Sequence, residues 1–187
     1  FGENGVYIDG FMAGTLDKVY VTACGTTGIT VKHSQALRAA TSSTLRNCFT
    51  AGCPTGYLLD QVAYVALLGC DADDSDIGYD LNVCLAVAMV GCGGEVATNI
   101  LKAQSAWSLT INSLYCLGAS GSAVRTNDST VWIAGFYEEP GSGTYSIEHT
   151  GNGSVKVVQP ANTKDFSGDV VDVGSPAGDF LPITGGR

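Results

Sequence analysis

An all-β protein in two halves is the fold class that this sequence predicts. Three observations lead there. Short runs rich in Val, Ile, Tyr and Ala recur along the chain at close spacing, the pattern of sandwiches and barrels. Glycine, 25 residues of the 187, separates them together with Thr, Ser, Asn and Asp, which are the residues that turns demand. Hydrophobic residues make up 45% and charged residues 14%, a composition that fits a packed core rather than a disordered chain.

In chain order the runs are VYIDG, DKVYVTAC, GITVKH, QVAYVALLGC, LNVCLAVAMVG, SLTINSLYC, TVWIAGFY, TYSIEHT, SVKVVQP and DVVDVG. Two stretches are ambiguous. SQALRAATSSTL suits a short helix or a strand and loop, and VATNILKAQSAW has a weak helical period between strand-like flanks. Trp107 and Trp132 lie in alternating contexts and are expected in the core. The ending, SPAGDFLPITGGR, reads as an extended Pro/Gly tail after an edge strand.

The clearest internal break is GCDADDSDIGYD, residues 69–80, rich in aspartate and poor in residues that can be buried. It is expected to be a solvated loop. DADDSD also offers carboxylates at calcium-loop spacing, but the glycine and distal Glu of an EF-hand loop are missing. The expected organisation is therefore an N-terminal β half over 1–72, an acidic linker over 73–80, and a C-terminal half over 81–187 with an extended tail. No internal repeat is evident by eye.

Charge and cysteine content bound the function. Nine Lys and Arg against eighteen Asp and Glu give a net charge of −9, and no basic cluster interrupts the acidic field. Neither nucleic acid nor an anionic membrane is expected as a partner. No apolar run approaches the roughly 20 residues of a membrane-spanning helix. The start, FGENGVYIDG, has neither a Met nor a signal-peptide pattern and is expected to be a processed end. The seven cysteines, Cys24, Cys48, Cys53, Cys70, Cys84, Cys92 and Cys116, are an odd number, which leaves at least one thiol free and favours a reducing compartment. A disulfide between Cys48 and Cys53 stays open, and their spacing does not make a zinc knuckle. No metal and no cofactor are expected.

One segment carries sharper chemistry. In Cys116-Leu117-Gly118-Ala119-Ser120-Gly121-Ser122-Ala123-Val124, a serine stands between small residues that allow a tight turn exposing its hydroxyl. The segment resembles the nucleophile motif of chymotrypsin-like serine proteases, most closely the compact enzymes that process polyproteins of positive-strand RNA viruses; Ala119 replaces the Asp of most members. The resemblance implies two packed β-barrels of the chymotrypsin-like type with an active-site cleft between them. It implies Ser120 as nucleophile, with the N–H groups of Gly118 and Ser120 as the oxyanion hole.

A base and an acid must complete such a site. His33 precedes the serine as the chain order of that family requires, and Asp60, in LLDQVAYVALLGC, is similar to its acid segment. Asp71, Asp73, Asp74 and Asp76 are alternatives for the acid. VYVTACG also resembles the family's histidine segment, and there Gly25 would occupy the position of the base, leaving an inactive homologue. The resemblance places Gly135, Phe136, Tyr137 and Glu138 along the substrate wall, with His149 approaching from the next strand. The expected activity is then a serine endopeptidase acting on a polypeptide, its own viral polyprotein included, in a host cytoplasm. The alternative is a non-enzymatic β-structural protein, such as a virion coat, decoration or filament subunit.

Overall fold

A computed structural model describes residues 3–34, 41–139, 141–143, 145–161 and 165–172. Fifteen strands lie among the described residues: β1 Asn4–Asp9, β2 Thr15–Asp17, β3 Tyr20–Thr22, β4 Thr27–Lys32, β5 Thr44–Arg46, β6 Phe49–Ala51, β7 Thr55–Asp60 and β8 Ala66–Leu68. The others are β9 Asp71–Asn82, β10 Ala88–Gln104, β11 Leu109–Leu117, β12 Val124–Glu139, β13 Ile147–Ala161, β14 Phe166–Ser167 and β15 Val170–Asp172. All belong to one sheet, and no helix occurs among the described residues.

That sheet is wound into a parallel β-solenoid of about seven turns. Every strand pairing is parallel, each run bonding to the run one turn further along the chain. The turn length is 22 residues through the middle of the molecule. Isolated bridges join Met12 to Thr41, Thr41 to Ala63, Ala63 to Leu85 and Leu85 to Trp107, and the last three steps are of 22 residues each. The first step is longer, and residues 35–40, part of the ambiguous SQALRAATSSTL stretch, fall within it outside the described set. The rest of that stretch enters β5, and VATNILKAQSAW leads into the end of β10 as strand.

Corners of the coil, between the short strands or within the longer ones, require backbone that L residues seldom adopt. Asn47, Gly69, Gly91, Ser113 and Gly135 all have positive φ, from 52° to 69°, and they follow one another at 22-residue steps. Glycine takes that conformation without a Cβ clash, and Asn tolerates it better than most. A turn residue in this sequence therefore marks a corner of a coil rather than the tip of a hairpin.

Alternation along each strand sends every second side chain inward, and stacking turns line these up into columns. Ile29, Tyr57, Tyr79, Leu101, Val124 and Ile147 form one column and Val31, Leu59, Leu81, Ala103, Thr126 and His149 the next, all nearly or wholly buried. Cys48, Cys70 and Cys92 form a third at 22-residue steps, continued by Leu114 and Phe136. All seven cysteines are free thiols. Those of Cys70, Cys84 and Cys92 donate to the carbonyls of Leu45, Leu59 and Leu67 in the preceding turn, at 3.5, 3.3 and 3.5 Å. Burial pushes the Cys70 and Cys84 thiols up to about 12, so they pack as small hydrophobes.

Two expectations about architecture are overturned. Two antiparallel chymotrypsin-like barrels with a cleft between them are absent: a single parallel solenoid takes their place, because the strand-like runs pair with their equivalents one turn away and not with their neighbours in sequence. Residues 73–80, expected to be an acidic linker between halves, lie inside β9 and are paired with β7 on one side and β10 on the other. The aspartates there are half-buried or exposed while Ala72, Ser75, Gly78 and Tyr79 are buried, and that division lets an acid-rich segment be a strand.

Candidate functional site

Ser120 is exposed on a corner of the fifth-to-sixth turn. Its N–H donates to the Ala97 carbonyl at 2.8 Å, and its hydroxyl lies 3.5 Å from that same oxygen. The Gly118 N–H donates to the Glu139 carbonyl at 3.2 Å. Both amides assigned to an oxyanion hole are thus bonded to neighbouring turns. The hollow beside Ser120, about 440 Å³, is lined by Gly52, Pro54, Asp74, Asp76 and Thr98 among others and contains no histidine.

His33 stands in a different place. It follows Lys32, and successive partners in that ladder are Asp60, Asn82, Gln104 and Asn127, the last in the turn that Ser120 opens. Four rung spacings of ~4.8 Å therefore separate the two residues by roughly 19 Å along the axis alone. The imidazole Nδ1 is 3.8 Å from Asp9 Oδ1, and the His33 N–H donates to the Asp60 carbonyl at 3.1 Å. The Asp60 carboxylate accepts from Asn82 Nδ2 at 2.7 Å and does not orient His33. The structure brings His33 and Asp60 into adjacent turns and leaves Ser120 apart from both. Gly25, the other position considered for a base, precedes β4 in the second turn.

The residues expected along a substrate wall are divided by strand alternation. Phe136 and Glu138 point inward, 1% and 0% exposed, while Tyr137 faces out and Gly135 is a corner. Glu138 raises the Cys116 thiol beside it, adding to the larger effect of burial. His149 is not at a surface pocket. It is 3% exposed inside the solenoid, with Nδ1 2.7 Å from the Thr126 hydroxyl. Trp107 and Trp132, expected in the core, are 45% and 43% exposed, because their inward neighbours Ala106 and Val131 take the buried positions.

The aspartates of DADDSD do not assemble a cation site: among the described residues no three His, Cys, Asp or Glu side chains are placed to hold a metal ion. Desolvation raises Asp71, and it raises Asp73 to about 6 with the help of the Asp71 and Glu95 charges.

A second hollow lies on another face, along an outward ladder that runs Tyr20, Phe49, Asp71, Gly93, Tyr115 and Tyr137. Tyr20 stacks on Phe49 with centroids 4.8 Å apart, and Tyr115 on Tyr137 at 5.3 Å, with planes 8° apart. Between these pairs the ladder carries a carboxylate and then no side chain at all. The hollow, about 550 Å³, runs along the rungs of Asp71, Gly93, Tyr115 and Tyr137 beside the corner residues Gly69, Gly91, Ser113 and Gly135, and the Gly93 rung is a gap within it. A Cβ at Gly93 would sit 3.1 Å from Asp71 Oδ1 and 3.6 Å from Tyr115 Cβ, so both neighbours border the vacant rung. Sequence reasoning missed this site. The 22-residue offset that aligns Phe49, Asp71, Gly93, Tyr115 and Tyr137 is the signal that reveals it.

Comparison with protein-family models, with curated proteins and with solved structures returns no match to this chain.

Proposed function

We propose that this chain is a non-enzymatic structural protein, a rigid β-solenoid segment that presents ordered ladders of side chains on its lateral faces. The observation that carries this reading is the commitment of the Ser120 and Gly118 N–H groups to inter-turn bonds, at 2.8 and 3.2 Å. An acyl-transfer site needs such donors free for a developing oxyanion, and it needs a base within hydrogen-bond reach of the nucleophile. Here the only base considered upstream of the serine lies turns away. Rows of stacked rings, by contrast, suit a protein whose surface is its working part.

The test is labelling with a serine-directed fluorophosphonate, alongside digestion of an unfolded protein substrate. No labelling and no cleavage are expected, and Ser120→Ala is expected to behave as the unsubstituted chain. Stoichiometric labelling that disappears in Ser120→Ala would overturn the proposal in favour of an endopeptidase.

A further inference from the structure

The vacant rung at Gly93 has a defined shape. Side chains in one ladder repeat at about 4.8 Å, so removing one leaves ~9.6 Å between those on either side. A flat group some 3.4 Å thick enters that gap, in van der Waals contact with one wall and within reach of the polar atoms of the other. One wall is the open face of Tyr115. Its ring is held in place by the stack on Tyr137 and by its hydroxyl, which donates to Glu139 Oε1 at 3.1 Å. The opposite wall is Asp71, whose Oδ1 reaches over Gly93 while accepting from the Ala72 N–H at 3.1 Å.

The chemistry of the walls selects the occupant. Side-chain charge at the slot is carboxylate only, none of the lining residues is basic, and the chain as a whole carries −9. Anionic and acceptor-only groups are repelled. A planar cation gains on both sides, stacking on the tyrosine face and donating to the carboxylate. Guanidinium is planar and weakly hydrated, and it presents parallel N–H donors, whereas an ammonium is a compact and strongly hydrated point charge.

We infer that the Gly93 slot between Tyr115 and Asp71 receives an arginine side chain of a partner polypeptide. The guanidinium lies flat on Tyr115 at the rung of Gly93 and donates to the free lone pairs of Asp71. Glu95 and Asp73, two residues further along their strands, add to the attraction. The slot does not depend on whether the chain lacks a catalytic centre.

The test is a titration of the isotope-labelled chain with blocked Gly-Arg-Gly, its lysine counterpart and its citrulline counterpart, followed by amide shifts. Saturable shifts centred on Gly91, Gly93 and Tyr115 are expected with the arginine peptide, roughly fivefold weaker binding with lysine, and none with citrulline. Gly93→Thr, which refills the ladder, is expected to abolish the shifts. Tyr115→Ala should weaken binding about fivefold or more, and Tyr115→Phe should retain it, because the ring face is kept. Unchanged circular dichroism and melting temperature establish that each variant is folded. Equal response to arginine and lysine, shifts spread over the acidic surface, survival of binding in Gly93→Thr, or absence of a saturable response would each overturn the proposal.

Discussion

Tyr57 and Tyr79, 22 residues apart in sequence, stack face to face inside the solenoid with ring centroids 4.9 Å apart and planes 7° apart. Each hydroxyl is spent on backbone: Tyr57 donates to the Asp71 carbonyl at 3.0 Å, and Tyr79 lies 2.7 Å from the Cys70 carbonyl and 2.8 Å from that of Gly93. The pair ties the inward strand positions to the corner beneath the Gly93 slot. Tyr79→Phe keeps the stack but strands buried carbonyl groups, and a loss of about 1–2 kcal/mol is expected in urea unfolding. The slope of the transition should stay the same, since the surface exposed on unfolding hardly changes.

His149 and Thr126 occupy a column whose other members, Val31, Leu59, Leu81 and Ala103, are apolar. Thr126→Val removes the hydroxyl that partners Nδ1 and is expected to cost about 1–3 kcal/mol. Combining it with His149→Leu should restore most of that loss, because no buried polar group is then left unpaired. A double-mutant cycle by chemical denaturation measures the coupling.

Val83 sits at a corner with φ of 51°, where a β-branched residue is least at ease. Its equivalents one turn before and after are Gln61 and Ser105, and its side chain is 37% exposed. Val83→Asn relieves the conformation without opening a cavity, so stability is expected to rise by about 0.5–1 kcal/mol, read as an increase in melting temperature.

Asp73, raised to about 6 chiefly by desolvation and then by the charges of Asp71 and Glu95, gives stability a pH dependence with a definite sign. Its folded-state value lies above the ordinary unfolded one near 3.9, so the folded chain binds more protons between the two. The stabilisation from protonation is fully present below the unfolded value and is lost as pH rises through about 6. Asp71 and Asp80 are raised in the same direction. Asp9 and Asp17 are lowered, but they are exposed and paired at the surface, where such pairs contribute little. The melting temperature is expected to be higher at pH 5 than at pH 7.5, and Asp73→Asn should raise the value at pH 7.5 and narrow the difference.

The strands were largely legible in the sequence, and their arrangement was not. Leu109 and Ile111 alternate with Thr110 and Asn112 in SLTINSLYC, Val155 and Val157 flank Lys156 in SVKVVQP, and each run lies in a strand. The repeat was present in Cys48, Cys70 and Cys92, in Gly69 and Gly91, and in the Gly-Tyr pairs at 56–57 and 78–79, but the intervening residues differ enough to hide it. CLGASGSAV resembled a nucleophile turn because small residues suit any tight corner. In the solenoid that same smallness lets Gly121 sit close to the Thr98 carbonyl of the turn before, where an added Cβ would be 2.8 Å from the oxygen.

Alternation and turn chemistry act between near neighbours, so the sequence by itself determined that these runs are strands and where the chain must bend. Whether a bend closes a hairpin or a corner of a coil depends on where the backbone donors of each run find acceptors, and that partner lies a full turn away. Only the tertiary structure decided that every partner is parallel and 22 or so residues distant. By doing so it separated Ser120 from His33, sent His149 and Glu138 inward, and brought Asp71, Gly93 and Tyr115 onto consecutive rungs of one face.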